Sequence, residues 1–220
     1  NRRYCTKCDS PVGRGQAGRP GRTAGFCPKC GDRFDFTAKL KAGDLVAGQY
    51  DVAGALAHGG MGWIYLARDR NVSGRWCVLK GLLDTADPDA AEAAVAEQRF
   101  LAEVRHPAIV GIHNFVQHEG QGYIVMEYVG GPSLKQLTKR RREAGEGPMP
   151  VTEGAAYLHA VLPAIGYLHD HGLIYCDFKP DNVIHEGDAV KLIDLGGVRR
   201  WDDPDAAIFG TVGYQAPEVP

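Results

Sequence analysis

The stretch "IYCDFKPDN", residues 174–182, gathers an aspartate, a lysine and an asparagine within six positions, Asp177, Lys179 and Asn182, behind Tyr175 and Cys176. Any one of these polar residues alone is ordinarily a solvated surface group. Their meaning comes from what stands around them. Upstream lies "YLHAVLPAIGYLHDHG" (157–172), with Leu158, Val161, Leu162, Ile165 and Leu168 at helical spacing and Gly172 where a C-cap glycine belongs. Those apolar residues are expected in the core, and Pro163 is expected to bend the helix. Downstream come "LIDLGG" (192–197) and "GTVGYQAPE" (210–218).

The chain has 220 residues and a formal net charge of -2. That length holds one sizeable core plus a small module, and the charge excludes bulk electrostatic attraction to nucleic acid. No run approaches the roughly 18 apolar residues that a membrane span needs, and no signal peptide is visible. A cytoplasmic protein is expected. The chain begins at Asn1 without a Met, which reads as a sequence shorn of a leader or tail.

Of the six cysteines, Cys5, Cys8, Cys27 and Cys30 form two Cys-x-x-Cys pairs, while Cys77 and Cys176 stand alone. The pattern belongs to a metal site in a reducing compartment more than to a disulfide framework. In "CTKC" and "CPKCG" each pair can set two thiolates on one tight turn, with Gly31 free to adopt the backbone that follows Cys30. Two such turns offer four soft ligands in tetrahedral array, suited to zinc or to a single iron. Residues 1–36 are too few for a core of their own, so the metal is expected to carry their folding. The module resembles a rubredoxin-like ribbon, most clearly at "CPKCG", with Asp9 where a glycine would follow Cys8. Between the knuckles "SPVGRGQAGRPGR" (10–22) reads as a solvated, mobile loop. A nucleic-acid contact through Arg14, Arg19 and Arg22 lacks interleaved aromatics.

After a linker at 37–49 the texture changes at Tyr50 to β-like runs. "YDVAGAL" (50–56), "WIYLARD" (63–69) and "WCVLKGLL" (76–83) read as successive strands joined by glycine-containing turns, the first being "AHGGMG" (57–62). "DPDAAEAAVAEQRFLAEVRHP" (87–107) reads as helix, and "IHNFVQH" (112–118) and "GYIVMEYVGG" (122–131) as two more strands.

In this order the motifs resemble those of a Ser/Thr protein kinase. The resemblance implies an α+β, bilobal fold with the smaller lobe at 50–131 and part of the larger at 132–220. It makes Ala57, Gly59, Gly60, Gly62 and Ile64 the glycine loop over ATP, with Ala57 replacing the first glycine of the pattern. Lys80 becomes the lysine that holds the α- and β-phosphates, and Glu97, nine residues before His106, its ion-pair partner. Glu103 lies about 240° further round the helix and is read as a solvated charge. Met126 guards the back pocket, and the backbone of Glu127 and Val129 would bond the adenine edge. Asp177 orients the acceptor hydroxyl, Lys179 stands beside the transferred phosphoryl group, and Asn182 and Asp194 bind Mg2+. Lys179, two residues after Asp177, favours Ser or Thr acceptors. Leu195 replaces the usual Phe as a packing variant. Thr211, Gly213, Pro217 and Glu218 match the end of an activation segment.

The ribbon with "AHGGMGWIYLA", "VLKGL", "DFKPDN" and "LIDLG" resembles the actinobacterial protein kinase G family. That resemblance implies a soluble kinase with forkhead-associated-domain metabolic regulators as protein substrates and a tetratricopeptide-repeat domain that this chain does not include. The larger lobe would ordinarily continue past Pro220, so part of its lower core is expected to be exposed. In many kinases an Arg before the catalytic Asp binds a phosphorylated activation loop. Here Cys176 is neutral and cannot do so, and "GGVRRWDDPDAAIFG" (196–210) holds no Ser, Thr or Tyr. Control by the ribbon over substrate access is expected instead. Two alternatives stand beside an active kinase: a nucleotide-binding pseudokinase scaffold and a redox-sensing metalloprotein.

Overall fold

A computed structural model describes residues 4–5, 7–8, 10–15, 20–59, 62–82, 99–202, 211 and 213–217. The ribbon contributes β1 (Ala24–Phe26) and β2 (Arg33–Asp35), an antiparallel pair. Its core is small: Cys5, Val12, Cys27, Phe34 and Phe36 are buried, and Cys8 and Cys30 pack against them. Val12 corrects the expectation of a wholly solvated loop at 10–22. It is 2% exposed, and Pro11 bridges to Tyr4 while Arg14 lies over the Tyr4 ring.

The smaller lobe is an antiparallel sheet of six strands in the order β3-β4-β5-β6-β8-β7. These are β3 (Leu45–Val46), β4 (Tyr50–Gly59), β5 (Gly62–Asp69), β6 (Arg75–Gly81), β7 (Ile112–His118) and β8 (Gln121–Glu127). Side chains alternate across a strand, and here both faces are covered. Tyr65, Ala67, Cys77, Leu79, Tyr123 and Val125 form a roof with Leu40 and Val46. Leu40 and Val46 belong to the expected linker, so that segment is built into the lobe. The Tyr65 hydroxyl accepts from the backbone N–H of Lys39 at 3.1 Å. On the other face Ile64, Val78, Ile124 and Met126 join a core that continues into the larger lobe.

Two boundaries differ from the sequence reading. The strand expected to stop at Leu56 runs to Gly59, because residues 57–59 pair with 62–64 across the hairpin. Gly62 takes φ +125°, and a Cβ there would stand 3.1 Å from the Gly81 carbonyl oxygen. Only glycine fits that approach. Of the helix expected over 87–107, residues 99–107 are described: Arg99–Glu103 is a 3-10 turn with Glu103 exposed, and 104–106 are not helical. The remainder through residue 98 lies outside the described residues.

The larger lobe begins with α1 (Leu134–Glu143), which the sequence reading missed. Its signal is local: Ser133 and Gln136 form a capping box. α2 (Val151–Asp170) starts six residues before "YLHAVLPAIGYLHDHG" and places Gly172 (φ +72°) just beyond its end. Val161, Ala164 and Leu168 are its buried stripe. Leu158 and Leu162 are not core: they are 51% and 60% exposed. They lie on another face of the helix, beside Ile174 and Phe178. Two short antiparallel pairs follow: β9 (Leu173–Tyr175) pairs with β12 (Val198–Arg200), and β10 (Val183–Glu186) with β11 (Ala189–Leu192). Ile109 bridges to Leu192 and joins the two lobes, while Ser133 bridges to Ile184 within the larger one.

Candidate active site

Period-two alternation decides where Lys80 points. Leu79 faces the roof, so Val78 and Lys80 face the cleft, and Lys80 is 5% exposed. Its ammonium pairs with Asp194 Oδ1. Burying a lysine is costly unless it is paired, and the carboxylate supplies that pairing. Burial pushes the Asp194 carboxyl up, but the Lys80 ammonium outweighs it and holds Asp194 below the ordinary carboxylate range. Asp194 also has φ +62° and ψ +71°, a left-handed backbone that non-glycine residues avoid, and accepts from the Gly196 N–H at 3.3 Å. Such strain concentrates at functional sites. Glu97 and Gly60 lie outside the described residues. Ala57 is exposed on the glycine hairpin and pairs with Ile64, while Gly59 pairs with Gly62.

Asp177, Lys179 and Asn182 come together with a residue the sequence reading did not place in the site. The Thr211 hydroxyl donates to Asp177 Oδ1 at 2.6 Å and accepts from Lys179 Nζ at 2.8 Å. Lys179 also pairs with Asp177 Oδ2. Asn182, 5% exposed, donates from its amide to the Asp177 carbonyl at 3.0 Å and to Oδ2 at 3.3 Å. Thr211 stands 34 residues from Asp177 in sequence, and only its place in "GTVGYQAPE" hinted at it.

Tyr175 is buried, and its hydroxyl donates to the Ile193 carbonyl at 2.5 Å. Burial pushes the phenol's pKa well up, so it remains a donor. Cys176 is half-buried beside it, with its thiol on the Ile174 carbonyl at 3.7 Å; burial raises its pKa as well. At the expected hinge Met126 is buried, and Val129 packs on the same apolar core as Ile64 and Val78. The Glu127 N–H donates to the Gly111 carbonyl at 2.8 Å.

In the ribbon the Sγ atoms of Cys5, Cys8, Cys27 and Cys30 all lie within 4.8 Å of one another. Cys5–Cys30 is 3.5 Å and Cys8–Cys27 is 3.6 Å. A tetrahedral site with metal–sulfur bonds of about 2.3 Å needs edges of roughly 3.8 Å, so the donor set fits a zinc or iron ion. All four cysteines are free of disulfides. The Ser10 hydrogen bonds pull the Cys8 thiol down to about 6, whereas at Cys30, against the Asp32 backbone bond that lowers it, the hydrogen bond to Cys8 pushes the thiol up to about 12. Gly31, φ +74°, donates to the Cys27 carbonyl at 2.9 Å and closes the second knuckle.

Ribbon and glycine hairpin meet through aromatic rings. Phe34 packs on Phe36 at 5.5 Å between centroids, Phe36 meets His58 edge-on at 5.1 Å, and His58 meets Trp63 edge-on at 5.1 Å. His58 and Trp63 flank the glycine turn.

Comparison with known proteins accords with this geometry. Residues 50–219 match the protein kinase domain, and residues 1–40 match the protein kinase G rubredoxin domain. The serine/threonine-protein kinase PknG of Mycobacterium leprae is 49% identical over all of this chain, which spans 30% of that relative. PknG of Mycolicibacterium smegmatis is 48% identical, again over the whole chain and 28% of the relative. The solved kinase domain of Mycobacterium tuberculosis PknI superposes with a TM-score of 0.57 at 30% identity, covering 72% of this chain and 62% of that one. The chain thus spans less than a third of the PknG relatives it matches. No described helix is long and apolar enough to cross a membrane. With the family's model matched over residues 50–219, the chain belongs to the protein kinase domain family, and the residues ahead of that domain match the protein kinase G rubredoxin domain.

Proposed function

We propose that this chain carries the ATP-dependent phosphotransfer site of a Ser/Thr protein kinase, moving the γ-phosphoryl group to Ser or Thr hydroxyls of protein substrates. The observation that carries the reading is the Asp177–Thr211–Lys179 cluster. Asp177 already accepts a hydroxyl hydrogen at 2.6 Å, the contact it would make to orient an acceptor hydroxyl for attack. Lys179 stands within reach of the same oxygen and would meet the charge that develops on the transferring group.

Across the cleft, the Lys80 ammonium would turn from Asp194 toward the α- and β-phosphates. The freed Asp194 carboxylate and the Asn182 amide oxygen would hold Mg2+, which when bound neutralises phosphate charge. Ile64, Val78, Met126 and Val129 would enclose the adenine, whose edge would bond the Glu127 and Val129 backbone. Gly59, Gly60 and Gly62, with Ala57, would fold over the phosphates.

Control is assigned away from the activation segment. Cys176 offers no cation for a phosphate, and residues 196–210 offer no hydroxyl to phosphorylate. The ring contact between Phe36 and His58 supports a ribbon that acts on the mouth of the cleft and so on substrate access. A metal ion on the four ribbon cysteines, zinc or iron, would hold the ribbon in that shape. The cysteine pattern also supports a cytoplasmic location. By family resemblance the substrates are forkhead-associated-domain regulators, and the full-length protein adds tetratricopeptide repeats.

The test is ATP turnover with metal analysis on one full-length preparation, wild type beside Lys80→Met. We expect one metal ion per chain and a loss of turnover of roughly a hundredfold or more in the variant. Near wild-type turnover in Lys80→Met would overturn the assignment.

A further inference from the structure

Three segments meet at Glu127. Its N–H donates to the Gly111 carbonyl at 2.8 Å, and its Oε2 accepts from the Gly111 N–H at 3.1 Å. Its Oε1 pairs with the Lys191 ammonium. Both side chains are mostly buried, 31% and 18% exposed. The loop that supplies Gly111 is itself bound to β11: Leu192 donates to the Ala108 carbonyl at 2.8 Å, and Val110 to the Leu192 carbonyl at 2.8 Å. Glu127 ends the strand that leads into the hinge, and Lys191 lies on β11, three residues before Asp194. The ion pair therefore ties the end of the cleft that would receive adenine to the strand that carries the carboxylate for magnesium.

We propose that Lys191 is a positioning residue for Mg·ATP, its ion pair with Glu127 setting the distance between the hinge and Asp194. The proposal rests on the nucleotide-binding reading above. Physically, Glu127 alone would still bond Gly111, so loss of the ammonium frees only one side of the knot. The hinge keeps its further attachments to β10, through Gly130 N–H to Glu186 at 2.8 Å and His185 N–H to the Pro132 carbonyl at 3.0 Å. Adenosine engages the hinge end alone. Mg·ATP must reach the hinge and Asp194 at once, so only the larger ligand depends on their spacing. An ion pair that served fold stability alone would give no such difference between ligands.

Lys191→Met and Lys191→Arg, made in the full-length protein, separate these cases by titration calorimetry with Mg·ATP and with adenosine, alongside steady-state turnover. In Lys191→Met we expect Mg·ATP affinity to fall about fivefold, adenosine affinity to hold within about twofold, and KM for ATP to rise with little change in kcat. Lys191→Arg, which keeps the charge, should recover most of the loss. Equal weakening of both ligands, no weakening, or tighter binding of Mg·ATP in Lys191→Met would overturn the proposal. Failure of the wild-type protein to bind either ligand would instead overturn the nucleotide reading on which the proposal stands.

Discussion

The hydroxyl of Tyr175 donates to the carbonyl of Ile193 at 2.5 Å, joining the end of β9 to the residue just before Asp194. Asp194 sits in a left-handed backbone that its neighbours must hold in place. A buried carbonyl that loses its donor costs about 1–3 kcal/mol. Tyr175→Phe should therefore lower stability by about that much and raise the Mg2+ concentration needed for half-maximal turnover. Chemical denaturation and a magnesium titration measure the two effects. An unchanged magnesium requirement would reduce Tyr175 to packing.

Thr211 bridges Asp177 and Lys179 through one hydroxyl. Removing it leaves the two charges paired but lets the carboxylate turn. Thr211→Ala is expected to lower kcat by on the order of tenfold to a hundredfold, and Thr211→Ser to recover much of it. Kinetics on a peptide substrate at saturating ATP measure this directly.

The Lys80–Asp194 pair carries a pH signature. The Asp194 pKa is depressed in the folded protein from its ordinary value of 3.8. The stability it contributes is therefore present above about that pH and is lost as pH falls through the folded value. In Lys80→Met the carboxylate stays half-buried without its cation, so the variant should be less stable at neutral pH. The gap from wild type should narrow as pH drops toward the ordinary carboxylate range. Urea unfolding at neutral and acid pH tests the sign, and a gap that widened in acid would contradict it.

Metal removal should act locally. The ribbon's core holds few apolar residues beyond the cysteines, so chelation or Cys5→Ser with Cys8→Ser should unfold it while the kinase lobes persist. Through the Phe36–His58 contact, the glycine hairpin should loosen too. Hydrogen exchange should rise over residues 24–36 and, less strongly, over 50–69. Protection unchanged in the ribbon after metal loss would contradict a structural metal.

Local patterns make much of this legible. Two Cys-x-x-Cys pairs define four ligands without knowledge of distant contacts, whereas Lys80 was legible only through its place in "VLKGL", because both faces of its sheet are covered. The capping box at Ser133 and Gln136 is equally local, yet the sequence reading missed the helix it starts. Contacts between remote residues are another matter. Thr211 reaches Asp177 across 34 residues and Lys191 reaches Glu127 across 64, and no periodicity encodes either. Leu158 and Leu162 were misplaced for a related reason. Helical spacing marks an apolar face, but it does not say what, among the described residues, covers that face.

In the proposed reading Asp177 directs phosphotransfer without a phosphate on the activation segment. Its most direct measurement is the rate of labelled phosphoryl transfer to a protein substrate by phosphatase-treated full-length enzyme, with Cys176→Arg and Asp177→Asn in parallel. The treated enzyme should keep its rate, Cys176→Arg should change little, and Asp177→Asn should fall by roughly a hundredfold or more. A collapse of the rate on dephosphorylation, traced to a site in the activation segment, or an Asp177→Asn variant that still transfers phosphate at near wild-type rate, would contradict it.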